Sequence, residues 1–193
     1  MLETIRRPAI VGKVVFMKPV LERVTTTADL GKLQDLIRDT FRDTYWDTTD
    51  NREIEKYLDT EYSLPKLRSQ VVNPDCHFYF LKQNHAVSGY VKLNFGEQQT
   101  ETLPENSVEV EKLYVLPEYK RQGVGRFALA AAETIAKKQG AKILWLGVWE
   151  GNTSAQQFYE RVGFRPVGKH TFQLGAEAQT DLILTKSLSE IEE

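Results

Sequence analysis

Apolar residues recur at helical spacing through Leu30, Leu33, Leu36, Ile37, Phe41 and Tyr45. With Thr27 or Asp29 as cap, they predict a first long helix ending near Trp46, preceded by a strand over residues 20–24. A second helical pattern covers residues 52–62. A third begins after Ser63 with Pro65 in its first turn and stops before Asn73-Pro74. Residues 76–82 and 86–95 read as strands flanking Gln83-Asn84-His85, a hairpin, and residues 96–106 read as polar loop. A strand over 108–116, a helix over 125–139 stopped by Gly140 and a strand over 142–149 form a βαβ unit, whose Ile143-Leu144-Trp145-Leu146 run suits a buried central strand. A helix from a cap at Asn152 to Val162, stopped by Gly163, and strands over 164–172 and 182–186 complete the order β, helices, β, β, β, α, β, α, β, β. Residues 1–18 carry no strong period and are read as an N-terminal extension or edge strand, with Met17 a candidate start; residues 19–188 are read as a single domain.

Composition narrows the function without naming it. A chain of 193 residues with 41% hydrophobic content is long enough for one domain with a substantial core. A net charge of -2 argues against a general nucleic-acid binder. Cys76 is the sole cysteine, which excludes an intramolecular disulfide, and within its apolar run it is expected to pack as a small hydrophobe. His77, His85 and His170 lack metal-ligand spacing. No run approaches a membrane span and no leader pattern is evident, so the expected location is cytoplasmic with no membrane partner.

The most informative stretch joins the strand ending at Val115 to the following helix through Lys120-Arg121-Gln122-Gly123-Val124-Gly125-Arg126. Glycines free the backbone to turn its N–H groups inward, and a helix N-terminus adds positive potential, so the turn is suited to a diphosphate. The rival readings are a Rossmann fingerprint and a bare strand-to-helix connection. Gly123-Val124-Gly125-Arg126-Phe127-Ala128 fits G-x-G-x-x-A, but Pro117 ends the strand and residues 118–122 intervene, where a Rossmann glycine follows its strand directly. A Walker loop is absent.

On these residues the chain resembles the GNAT acyltransferases, over about residues 21–188. Lys120 to Gly125 stand in their pyrophosphate turn, [QR]-x-x-G-x-[GA], with lysine at the first position. Asn152, Ala155, Phe158, Tyr159, Gly163 and Phe164 follow the second family pattern. A narrower likeness, to bacterial PaiA-type polyamine acetyltransferases, rests on residues 145–150, on Gly168-Lys169-His170-Thr171-Phe172, on Gln179-Thr180-Asp181-Leu182 and on Gly89-Tyr90-Val91-Lys92.

The resemblance implies an α/β (α+β) GNAT fold: a mixed, mostly antiparallel sheet of about seven strands with a splayed central parallel pair and helices on both faces. It implies acetyl-CoA as donor, with the pantetheine arm along Leu113, Tyr114 and Val115. The diphosphate would lie on the turn from Lys120 to Arg126, and Asn152, Ala155, Phe158 and Tyr159 would flank the cofactor. Tyr159 would be the general acid for the departing thiolate, although its place in the stripe Ala155, Phe158, Tyr159, Val162 also suits a core residue, and Asn152 would be explained by capping alone. Glu111 matches the base of spermidine/spermine acetyltransferases. Strand alternation puts it on one face with Glu109, Leu113 and Val115, and a glutamate merely paired with its neighbours is the other reading.

Residues 39–61 hold eight acids against three basic residues. That excess suits either a cationic acceptor or a solvated helical surface. Tyr45, Trp46, Trp149 and Glu150 are candidates for an aromatic, acidic acceptor wall. The reading that results is transfer of acetyl from acetyl-CoA to a small cationic amine of the spermidine or spermine type. A protein amino group, an aminoglycoside or an amino acid is the alternative acceptor, and a non-catalytic acyl-CoA sensor the alternative class. Residues 164–186 show no decisive apolar patch, so a homodimer stays open.

Overall fold

The computed structural model describes residues 18–46, 50–103, 106–174 and 177–188. Residues 1–17, read above as an extension, lie outside them. The strands are β1 (Val20–Arg23), β2 (Cys76–Gln83), β3 (Ala86–Asn94), β4 (Ser107–Val115), β5 (Ile143–Trp149), β6 (Arg165–Leu174) and β7 (Glu177–Ser187). The helices are α1 (Leu30–Tyr45), α2 (Asn51–Glu61), α3 (Leu64–Val72), α4 (Val124–Lys138) and α5 (Thr153–Arg161). The strands form one sheet in the order β1-β2-β3-β4-β5-β7-β6, and β4 with β5 is its parallel pair. The mixed, mostly antiparallel GNAT arrangement expected from the sequence is present.

Two cores sandwich the sheet. On one face Leu33, Ile37 and Phe41 of α1, Ile54 and Leu58 of α2 and Leu67 of α3 pack on Phe78, Phe80 and Tyr90. On the other, Leu129, Ala132 and Ala136 of α4 meet Val91, Leu93, Val110, Leu144 and Leu146, with Phe158 and Tyr159 of α5 beside them. α1, α2 and α4 bury the stripes that their sequence periods define, and α5 lays its own half-buried against the second core. Cys76 is buried, and that burial pushes its thiol pKa up, in keeping with a packing role. Asn84 and His85 both take positive φ, 51° and 65°, the twist a two-residue hairpin turn needs between β2 and β3.

At Gly89 the backbone of β3 leaves no room for a side chain against β4. A Cβ there would lie 2.1 Å from the Tyr114 carbonyl oxygen and 2.9 Å from the Val115 Cα. Both obstacles are backbone, so neither yields cheaply. Gly89→Ala is expected to cost roughly 1–3 kcal/mol of stability, the ordinary range for overpacking, and to displace β4. Urea unfolding measures it; an unchanged midpoint would refute the close approach.

Candidate active site

The parallel pair is where the sheet opens. β4 and β5 pair only at Ser107↔Ile143, Val108↔Leu144 and Glu109↔Trp145. Beyond Glu109 the strands diverge, and β4 passes from buried at residues 107–110 to partly exposed at 111–115. The Leu116 N–H bonds the Ser88 carbonyl at 2.9 Å, toward β3. Alternation therefore directs the N–H groups of Leu113 and Val115 away from β3, into the wedge between β4 and β5.

One predicted feature of β4 is corrected. The β3–β4 register runs Lys92↔Lys112 and then Leu93↔Val110, a bulge that leaves Glu111 as the extra residue. Glu111 stays with Glu109 on the α1 face, where Asn94 Nδ2 donates to both carboxylates at 3.0 Å (Glu109) and 2.6 Å (Glu111). Leu113 and Val115, past the bulge, pack instead against Leu81, Val124 and Ala128 on the α4 side. The four do not share a face, because the extra residue shifts the alternation by one. Two adjacent charged residues, Glu111-Lys112, in an otherwise alternating strand were the signal for it.

The turn after β4 is open in front. Gly123 has φ +85°, and no atom lies within 4 Å of a Cβ built on it. α4 starts at Val124, and its first internal bond is from the Phe127 N–H to the Gly123 carbonyl at 2.9 Å. The amides of Val124, Gly125 and Arg126 thus precede the intrahelical ladder, at the positive end of the helix dipole. Phe158 of α5 presses on Gly125, its ring 3.3 Å from where a Cβ would sit, so that glycine lets α5 close on α4. The flanking side chains are less uniform than the sequence suggests. Lys120 pairs with Asp43 of α1 at 2.9 Å, and Gln122 Nε2 donates to the Glu118 carbonyl at 2.6 Å. Arg121, at φ 63°, and Arg126 are exposed. The glycine turn, the unused amides and the wedge-facing N–H groups suit a diphosphate with a pantetheine arm.

Tyr159 is half-buried in the second core on α5, whose cap is Asn152: its Oδ1 accepts the Ala155 N–H at 3.0 Å. Burial pushes the Tyr159 phenol up to about 12, with Tyr45 adding to the effect. The hydroxyl therefore keeps its proton throughout the neutral range. Its ring packs on Phe158 and Phe164, so it is also a core residue.

Glu111 is no solitary carboxylate. It pairs with Lys92, which lies over the Phe78 ring, and with Lys112 at 3.8 Å. Burial would raise its pKa, but Lys112 and Lys92 and the hydrogen bonds from Lys92 and Asn94 outweigh it and hold the group below the ordinary carboxylate value. Glu109 goes the other way. Burial raises it and the neighbouring Glu111 charge adds to the rise, against hydrogen bonds from Thr100 and Asn94.

Of the four residues expected to line the acceptor side, Tyr45 sits at the wedge beside Lys112, Tyr114 and Asp181, and burial raises its pKa. Trp149 is opposite Asp181 in the β5–β7 register, its ring over Gly151. Glu150 is exposed and pairs with Lys169 at 3.3 Å. Trp46 departs from expectation. It lines an open depression of about 530 Å³ with Asn51, Arg52, Glu55, Lys56 and Asp59, on the outer surface of α2. The acidic run of residues 39–61 is largely consumed in ion pairs. Glu55 takes Arg38 and Arg42, Asp59 takes Arg38, Asp43 takes Lys120 and Glu61 takes Lys66; Asp47 lies outside the described residues. The partners come from α1, α3 and the glycine turn, so counting residues 39–61 alone overstates the free charge.

Other residues at the wedge were not singled out for a role. Asp181 of β7 and His170 of β6 lie over Gly147 of β5, each 3.5 Å from where its Cβ would be. His170 is 3.7 Å from Asp181 and, through Nδ1, 3.0 Å from Glu101 of the β3–β4 loop, an ion-pair distance without hydrogen-bond alignment. The same loop is anchored on the sheet, with Gln99 accepting from the Trp145 indole at 2.7 Å.

A sheet opened between its parallel strands, beside a glycine turn at a helix N-terminus, defines a coenzyme A-dependent acyltransferase fold. The chain belongs to the acetyltransferase (GNAT) family, whose profile matches residues 33–164. It is an N-acetyltransferase, and acetyl-CoA is its donor. It is 34% identical over 160 residues to an N-acetyltransferase of Lactobacillus delbrueckii subsp. lactis, covering 83% of this chain and 92% of that one. It is 28% identical over 147 residues to the spermidine N(1)-acetyltransferase of Thermoplasma acidophilum, covering 74% and 86%. The crystal structure of the PaiA N-acetyltransferase from Thermoplasma acidophilum in complex with coenzyme A superposes with a TM-score of 0.71 at 25% identity, over 89% of this chain and 99% of that one.

Proposed function

We propose that the enzyme acetylates a primary amine of a spermidine-like polyamine or related alkylamine by direct attack within a ternary complex. The observation that carries this reading is the wedge. β4 loses its partner after Glu109, and the freed strand edge lies between the glycine turn on one side and a tyrosine- and carboxylate-lined face on the other. The polyamine class is supported by the likeness to the Thermoplasma proteins and by the Asp181 carboxylate over Gly147, with Glu101 and Asp181 on either side of His170.

When bound, acetyl-CoA supplies an electrophilic thioester carbonyl. In the proposed scheme the N–H groups of Leu113 and Val115 orient the donor, and the amides of Val124, Gly125 and Arg126 hold its diphosphate, with Arg121 and Arg126 adding charge. Tyr159 donates its proton to the departing thiolate. Glu111, held ionised, attracts the ammonium and accepts its proton through water. Its depressed pKa makes it a weaker base than a free carboxylate, so much of the deprotonation must be driven by solution pH.

Glu111→Gln is expected to lower turnover most at neutral pH, and to recover in part in alkali, where the amine loses its proton unaided. Because Glu111 is charged across the neutral range, any acidic limb near neutrality belongs to the amine. A loss independent of pH would restrict Glu111 to holding Lys92 and Lys112. The function itself is tested by following free thiol from acetyl-CoA over a panel of spermidine, spermine, diamines, aminoglycosides and peptides. Preference for peptides would remove the polyamine reading, and silence with every acceptor would favour a sensor.

A further inference from the structure

Asn94 is a buried amide placed between two carboxylates. At the end of β3 it stands opposite Glu109 in the β3–β4 register, and the bulge at Glu111 brings a second glutamate to the same face. An amide –NH2 carries two hydrogens, and Asn94 Nδ2 donates to Glu109 and to Glu111. Glu109 is otherwise held by neutral donors, the Thr100 N–H at 2.9 Å and the Thr100 hydroxyl at 2.6 Å. Glu111 is not held evenly. Its Oε2 takes both Asn94 and the Lys92 ammonium, whereas Oε1 has Lys112 at 3.8 Å, beyond hydrogen-bond range. The side chain is 17% exposed, so water reaches the residue while one of its oxygens is still free to accept. The titratable groups that bear on Glu111 are Lys92 and Tyr90 of β3, Cys76 of β2, Tyr57 of α2 and Tyr62 just past it, and Lys112 and Glu109 of β4 itself. Burial raises the pKa of those phenols and of the thiol, which stay neutral. Glu109 is therefore the acid that competes with Glu111 for a proton among the described residues.

We propose that Asn94 is a positioning residue for the proton transfer: by donating to both glutamates it keeps them from sharing a proton, and by anchoring Oε2 of Glu111 it leaves Oε1 free to receive the proton of the acceptor. This deepens the reading of Glu111 as the base and rests on it. The acceptor's ammonium gives one proton to a water, which passes one of its own to Oε1, and the nitrogen keeps the lone pair with which it attacks. Without the amide, two carboxylates on one buried face repel each other, and the arrangement that relieves them is a single proton held between the two. Glu111 would then carry that proton part of the time and be unable to accept another.

Carbon-13 NMR of the glutamate carboxyls, with Glu111 assigned from the spectrum of Glu111→Gln, reads the charge state apart from turnover. In the wild type Glu111 should stay ionised from about pH 8 down to about pH 5, in keeping with its depressed pKa. Asn94→Leu, of similar size but without a donor, should bring its midpoint into that range, a rise of about one unit or more. Adding Glu109→Gln to Asn94→Leu removes the competing acid and returns an amide to the site, and should send the midpoint back below about pH 5. In steady-state kinetics Asn94→Leu should lower kcat near neutrality by roughly tenfold or more, with KM for acetyl-CoA within a few-fold of the wild type. The acidic limb it gains should keep its position when the acceptor is exchanged for an amine of different pKa. Asn94→Asp, which keeps the shape and loses the donors, reads the same effect should Asn94→Leu fail to fold. Glu111 ionised down to about pH 5 in both variants, or a rise that Glu109→Gln does not reverse, would overturn the inference and leave Glu111 standing as the base. Full activity of Glu111→Gln would remove the base, and this inference with it.

Discussion

Replacing Tyr159 with phenylalanine is expected to lower kcat by roughly 10²-fold or more while acetyl-CoA affinity stays within a few-fold of the wild type, the range of a lost proton donor. The substitution removes one oxygen and keeps the ring that packs on Phe158 and Phe164, so the core contacts survive. Its phenol is pushed up to about 12, from an ordinary 10.0. The proposed acid therefore stays protonated, and no alkaline loss of activity from its ionisation should appear below pH 10. Steady-state kinetics against pH, with cofactor affinity measured separately, checks both statements. Near-normal turnover in Tyr159→Phe would assign the residue to packing alone.

Gly123→Val is expected to weaken acetyl-CoA binding by roughly 10²-fold. Gly123 has φ +85°, where a β-branched side chain is strained by about 1–3 kcal/mol, and relief of that strain rotates the amides that follow. Space is not the obstacle, because nothing lies within 4 Å of the added Cβ. Gly123→Asn, whose side chain tolerates a left-handed backbone, should therefore retain binding to within about tenfold of the wild type. Equal losses in the two variants would mean that bulk in the cradle, not backbone conformation, decides affinity. Thermal unfolding separates both from a general loss of fold.

These expectations depend on features of unequal visibility in the sequence. Local periodicity located α1 from Leu33, Ile37 and Phe41, and the stops at Gly140 and Gly163 ended α4 and α5 within a residue or two. The turn around Gly123 was legible because glycine spacing and helix start are local properties. The bulge at Glu111 was hidden because alternation was carried straight through β4, although the charged pair Glu111-Lys112 marked the break. Glu101 and His170 lie far apart in sequence, and only the folded sheet brings them within 3.0 Å of each other. The acidic run misled for a related reason: its neutralising partners Arg38, Lys66 and Lys120 fall outside residues 39–61. Trp46 follows Tyr45 directly, yet the end of α1 sends the two rings to different surroundings.

The opened parallel pair and its glycine turn are the basis of the whole account, and calorimetric titration of acetyl-CoA into the protein tests them most directly. At two temperatures the account predicts one saturable site per chain, weakened by Gly123→Val and retained in Tyr159→Phe. Absence of heat at both temperatures, or binding indifferent to Gly123→Val, would contradict it.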